Sequence, residues 1–145
     1  DISVQSSELK GINVPVKWIT NSIDDLVVIW VACGLAKGKS YFKGISELRL
    51  KESDRIKNMS KVLNKLKIKT YSTKDTLKIY GKKNVYQNKN IIISSNLDHR
   101  IAMASFVAAQ VTGIKILIKG FETVSSSFPN FLKFQKMIGA KYVIK

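Results

Sequence analysis

Apolar positions in this chain follow two periods, one helical and one extended. Leu26 to Ala36 runs uncharged for eleven residues, too short to cross a bilayer, which takes about 20. The stretch "SIDDLVVIWVACGLAKG" from about Ser22 therefore predicts a mostly buried helix. Its β-branched content also suits a strand, but its unbroken length favours the helix. Ser22 or Asp24 is placed to cap it, and Gly38 follows its end. In "LKESDRIKNMSKVLNKLKI", Ile56, Met59, Leu63 and Leu66 form one helical stripe with lysines on the opposite face. "DHRIAMASFVAAQVTG" predicts a second buried helix ending near Gly113, and "FPNFLKFQKMIG" a third amphipathic one.

Alternating or short apolar runs mark the strands. These are "DISVQS" (Asp1 to Ser6), "SYFKGI", "IKTYST", "TLKIYG", "IIISS", "IKILIKG" and a closing "KYVIK". A turn-rich connection with Gly11, Pro15 and Trp18 follows the first strand. Lys74-Asp75 separates a hairpin pair, and Asn84 to Asn90 is polar and loop-like. Helices alternate with strands while a hairpin interrupts parallel pairing, so the expected class is α+β, with helices packed on mixed sheets. Ile23 to Tyr80 and Asp98 to Lys145 each read as helix, strand, amphipathic helix and strand, a weak internal repeat.

Composition narrows the function classes. With 145 residues, 45% hydrophobic and 24% charged, the chain predicts a single globular domain over residues 1–145. One cysteine, Cys33, excludes an internal disulfide, and with a single histidine it leaves no metal-ligating constellation. No secretory signal is visible, so a cytoplasmic location is expected. The first residue is Asp1 rather than Met, which places the expected true N-terminus upstream. A net charge of +15 raises nucleic acid as a partner. Of 25 basic residues, however, only Arg49, Arg55 and Arg100 are arginine, and the lysines are scattered along the chain. Nucleic-acid readers use arginine forks and interleaved aromatics, so no nucleic-acid partner is expected, nor a membrane.

All three arginines and the only histidine fall in "LRLKESDRI" and "LDHRIAMA". In the second stretch Asp98 suits a helix cap. Arg100 then sits in the first turn, where the helix dipole disfavours a cation by a few tenths of a kcal/mol. A bound phosphate or carboxylate reverses that sign, whereas a bare Asp98–Arg100 surface pair accounts for the motif without a ligand. In the first stretch, Lys51 and Arg55 are four apart and so share a helical face beside Glu52, while Asp54 can pair with a neighbour. That grouping suits anion binding next to proton transfer, or an ordinary solvated first turn. Asp24 and Asp25 open the apolar helix. One can cap it, and the other needs a neighbouring cation or a substrate hydroxyl. There is no glycine-rich phosphate loop. Cys33, Trp30 and Met103 read as packing.

Taken in order, "DISVQSSELKGI", "NSIDDL", "LRLKESDRI", "SSNLDHRIAMA" and "SSFPNF" resemble the C-terminal part of the 5-enolpyruvylshikimate-3-phosphate synthase family, over essentially the whole chain. The resemblance implies repeated βαβαββ units in two similar domains with the active site between them. It implies transfer of the enolpyruvyl group of phosphoenolpyruvate to the 5-hydroxyl of shikimate 3-phosphate, with release of phosphate and without a metal or organic cofactor. It assigns Asp24 to the shikimate hydroxyls as proton acceptor and Glu52 as the other acid–base residue. Lys51 falls to the 3-phosphate, Arg55 and Arg100 to phosphoenolpyruvate, and His99 to the margin of the site. Phosphoenolpyruvate carries a carboxylate and a phosphate, for which two permanently charged planar forks are a match.

Three positions depart from the family pattern. Ser126 stands where many members have Lys, Glu47 where many have Asn, and "IDDLV" where the pattern reads "IDEIP". Residues 1–145 are expected to be an incomplete C-terminal domain of such an enzyme, with its N-terminal domain outside these residues and needed as a partner. Two rivals remain: the sister enolpyruvyl transferase acting on UDP-N-acetylglucosamine, and a non-catalytic basic module that binds anions or nucleic acid.

Overall fold

The computed structural model describes residues 1–3, 5–85 and 90–144. Thirteen elements follow one another: α1 (Val16–Asn21), α2 (Leu26–Leu35), β1 (Gly38–Lys43), a 3-10 turn (Ser46–Arg49), α3 (Arg55–Lys65), β2 (Lys69–Ser72), β3 (Thr76–Gly81), β4 (Ile91–Ser94), α4 (His99–Thr112), β5 (Ile116–Lys119), a second 3-10 turn (Phe121–Thr123), α5 (Val124–Ser127) and α6 (Phe131–Met137). The class is α+β, as the alternation of periods predicts.

β3 is the centre of an antiparallel sheet with β1 on one side and β2 on the other. The β2–β3 hairpin turns at Lys74-Asp75, where the sequence placed it. β4 and β5 pair in parallel with α4 between them, a βαβ unit. The extended segment 9–14 runs along the free edge of β1, with Gly11 N–H donating to the Lys37 carbonyl at 2.8 Å and Tyr41 N–H to the Ile12 carbonyl at 2.8 Å. Its bridges to β1 and to Lys37 are parallel, so the larger sheet is mixed.

Burial follows the stripes. Ile56, Met59 and Leu63 of α3, with Leu66 just past its end, join Trp30, Val27 and Val31 of α2, Phe42 of β1, Leu77 and Ile79 of β3 and Ile101 of α4 in the main core. α2 packs against α3, α4 and β3, which explains why it carries no charge. A second, smaller core gathers Ala102, Phe106, Val124 and Phe131 beneath β5 and α6. Phe106 anchors it, with the Phe131 ring edge-on at 5.3 Å. Cys33 is buried, and desolvation pushes its thiol above the ordinary range.

Several expectations are corrected. Asp1 to Ser6 forms no strand over its described residues, because the edge of β1 is taken by residues 9–14 instead. Lys141 to Ile144 is also strandless. Val143 and Ile144 are exposed with no sheet edge beside them, so the second half of the supposed repeat lacks its closing strand among the described residues. Trp18, expected in a loop, lies in α1, started by the φ-fixed Pro15. α2 begins at Leu26 rather than near Ser22. Ser22 instead accepts the Asp25 and Leu26 N–H groups through its carbonyl and donates its hydroxyl to the Trp18 carbonyl at 2.7 Å. Of the loop expected over Asn84 to Asn90, residues 86–89 lie outside the described residues.

Candidate functional site

Three helices of ten or more residues begin side by side, and each begins at an aspartate. The N-cap positions are Asp25 for α2, Asp54 for α3 and Asp98 for α4. Their positive dipole ends favour negative charge at this place, and Asp54 and Asp98 each accept a first-turn N–H. Besides Asp54, five of the chain's ten side-chain carboxylates gather there: Asp24, Asp25, Glu47, Glu52 and Asp98, with Lys51, Arg55 and Arg100 between them.

Arg55 is the hub. It is 1% exposed, and three carboxylates surround its guanidinium. Nη1 donates to Asp24 at 2.9 Å, Nη2 to Glu52 at 2.6 Å and Nε to Asp98 at 3.0 Å. Asp98 is wholly buried and accepts two further bonds, from the Ser53 hydroxyl at 2.8 Å and from the Arg100 backbone N–H at 2.9 Å. One carboxylate thus fixes the Arg55 side chain and caps the helix that carries Arg100. The bare Asp98–Arg100 surface pair is excluded, since Asp98 is buried and bonds the Arg100 backbone.

The chain reaches Asp98 through a forced turn. Asn96 and Leu97 both take positive φ, 52° and 59°, and the Asp98 N–H closes on the Ser95 carbonyl at 3.1 Å. Left-handed backbone is costly for leucine and is held here by its surroundings. Asn96 is fixed in turn by its side-chain amide, which donates to Asn58 of α3 at 2.8 Å.

Lys51 does not share a helical face with Arg55, because α3 starts only at Arg55 and residues 51–53 form a bend. It reaches the cluster nonetheless. Its ammonium pairs with Glu47 and lies 4.0 Å from Asp24. The hydrogen bond to Glu47 raises the Lys51 amine above its ordinary range. Asp54 belongs to the frame: it accepts the Lys57 N–H at 2.8 Å and pairs with Arg49 at 2.7 Å. Arg49 also donates through Nε to the Lys74 carbonyl at 3.0 Å, tying the hairpin to the start of α3.

Arg100 is the accessible fork. Its side chain is 32% exposed, and Nη1 donates to the Asp24 carbonyl at 3.0 Å and to the Asp25 carboxylate at 3.2 Å. His99 is half-buried at the first position of α4, and its ring hydrogen-bonds no other described residue. Ser126 is exposed, with its hydroxyl donating to the Thr123 carbonyl at 2.7 Å. Sequence reasoning missed Ser53. Its only signal was its place inside "KESDR".

The described residues form a mixed-sheet α+β arrangement in which carboxylates and guanidinium groups interlock at three helix starts. Comparisons with known proteins give the family. The sequence model of EPSP synthase (3-phosphoshikimate 1-carboxyvinyltransferase) matches residues 1–134, and the chain belongs to that family. The 3-phosphoshikimate 1-carboxyvinyltransferase of Ruthia magnifica subsp. Calyptogena magnifica is 40% identical over 139 residues, 96% of this chain and 32% of the relative. The one from Zymomonas mobilis subsp. mobilis is 37% identical over 145 aligned positions, 98% of this chain and 32% of the relative. The solved EPSP synthase of Acinetobacter baumannii superposes with a TM-score of 0.81 at 34% identity, over 92% of this chain and 31% of that one. The chain therefore spans about a third of the length of the relatives it matches. Among the described residues no helix is long and apolar enough to cross a membrane.

Proposed function

We propose that this chain carries acid–base and anion-holding groups for enolpyruvyl transfer from phosphoenolpyruvate to the 5-hydroxyl of shikimate 3-phosphate, acting with the rest of a longer enzyme. The observation that carries the proposal is the convergence of Asp24, Glu52 and Asp98 on Arg55, beside the half-exposed Arg100. In this reading Asp24 takes the proton of the 5-hydroxyl as its oxygen attacks C2 of phosphoenolpyruvate. Glu52 delivers a proton to the methylene carbon, giving a tetrahedral intermediate. Elimination reverses both transfers: Glu52 takes a methyl proton, the bond from C2 to the phosphate oxygen breaks, and Asp24 returns its proton to the departing phosphate. Lys51 serves the 3-phosphate, Arg100 binds phosphoenolpyruvate directly, Arg55 binds it only in exchange for its Asp24 and Glu52 partners, and His99 borders the site. Glu47 holds Lys51, and Asp98 holds Arg55.

Charge explains why a longer enzyme is needed. The cluster holds five carboxylates against three cations, and both substrates are anions. Affinity for them requires cations from outside these residues, which fits the N-terminal domain as partner and the cleft between domains as the site. The 145 residues alone should therefore bind substrates weakly and turn over nothing. The test is a chimera in which this chain replaces the matching third of the Ruthia magnifica relative. Phosphate release with shikimate 3-phosphate supports the proposal, whereas release with UDP-N-acetylglucosamine alone overturns it in favour of the sister reaction.

A further inference from the structure

Asp25 holds the N-cap position of α2, yet its carboxylate makes no capping bond. Aspartate at that position ordinarily accepts an N–H of the first turn, a contribution of about 1 kcal/mol. Here the helical backbone of Asp25, φ −88° and ψ −14°, withholds the cap geometry, and the side chain reaches across the chain to Arg100 Nη1 at 3.2 Å. The pair lies in water, with the Asp25 side chain 67% and that of Arg100 32% exposed. Arg55 is the opposite case: its side chain is 2% exposed and saturated by three carboxylates.

The two bonds on Arg100 Nη1 also differ in kind. The Asp24 backbone carbonyl at 3.0 Å is part of the chain path and stays in place. The Asp25 carboxylate is a solvent-exposed side-chain oxyanion, and an exposed pair of this type is worth little. The Nε and Nη2 groups of Arg100 donate to no other described residue.

We propose that Asp25 is a positioning residue that acts as a resident stand-in anion for Arg100, holding the fork extended and leaving it when a ligand's carboxylate or phosphate binds. The proposal rests on the anion-binding role given above to Arg100. The exchange makes and breaks only ionic hydrogen bonds, with the Asp24 carbonyl keeping the guanidinium in register. Asp25 thus lowers the affinity of the empty site for any anion that fails to outcompete it.

The experiment follows the Arg100 Nε–Hε NMR signal of the 145-residue chain at low ionic strength, titrating phosphoenolpyruvate and, separately, inorganic phosphate. The proteins are the unaltered chain, Asp25→Asn, Asp25→Glu and Arg100→Ala, the last read by backbone signals. Asp25→Asn removes the competing charge while asparagine still suits an N-cap, so its dissociation constant for both probes should fall about two- to fivefold. Asp25→Glu should stay near the unaltered chain. Equal or weaker binding by a folded Asp25→Asn overturns the exchange. If Arg100→Ala binds the probes as well as the unaltered chain, the anion role of Arg100 itself fails. Because the chain alone binds weakly, the titrations run to about tens of millimolar probe, and absence of any probe-dependent shift at that limit overturns the exchange.

Discussion

Arg55 Nε donates to the Asp98 carboxylate at 3.0 Å, with both side chains shut off from water. The bond joins the starts of α3 and α4, and it sets the distance between the two arginines on which the site depends. A buried ion pair is poor evidence of net stability, because desolvation offsets much of the attraction. Removing one partner is a different matter, since it leaves a buried charge short of its counter-ion. Asp98→Ala should therefore cost about 3 kcal/mol or more in urea unfolding, and it also removes the α4 cap. A loss below about 1 kcal/mol contradicts the hub role.

Arg100→Ala separates binding from folding. Its pair with Asp25 is half-exposed, so the substitution should change stability by less than about 1 kcal/mol. In the chimera the same change should raise the KM for phosphoenolpyruvate at least about tenfold, the loss of one charge-assisted bond. Unchanged kinetics with that substrate contradict the assignment.

Asp75 carries a pH signature far from the cluster. Its carboxylate accepts the Gly44 and Ser46 N–H groups, each at 3.0 Å, and these bonds, the one from Ser46 foremost, hold its pKa below the ordinary value. A lowered folded pKa gives stability that is present above the unfolded value and lost as pH falls through the folded one. The stability gap between the unaltered chain and Asp75→Asn should be constant near neutrality and shrink below about pH 4. A gap that widens on acidification refutes the assignment.

Gly81 ends β3 where two backbones meet. A Cβ there would lie 2.2 Å from the Ala36 carbonyl oxygen and 2.6 Å from that of Cys33. Neither can yield without moving the end of α2, so Gly81→Ala should cost about 1–3 kcal/mol. Gly113→Ala meets no atom within 4 Å and should cost only its positive φ of 68°, about 1 kcal/mol. Thermal unfolding of the two variants ranks them, and a reversed order contradicts this packing.

The helices and the hairpin were legible because their signals are local. Ile56, Met59, Leu63 and Leu66 specify one face of α3, and Lys74-Asp75 marks a turn without help from distant residues. The terminal strands were misread because alternation states only that a segment can pair, and the β1 edge went to residues 9–14. The site followed the same division. Arginine placement in a lysine-rich chain drew attention to both stretches. Glu52 is three positions from Arg55, but the Asp24 and Asp98 contacts that complete its saturation, and the Asp24 carbonyl on Arg100, lie 31 to 76 positions apart, which no spacing rule contains. The need of Asp24 or Asp25 for a cation was foreseen, but the division of Arg55 to one and Arg100 to the other was not.

The most direct test of the central claim is phosphate release from phosphoenolpyruvate and shikimate 3-phosphate by the chimera, with and without Asp24→Asn. Turnover by the unaltered chimera is expected, with a loss of about 100-fold or more in kcat on substitution, the range for removing a general base. Turnover by the Asp24→Asn chimera at the unaltered rate would contradict the claim.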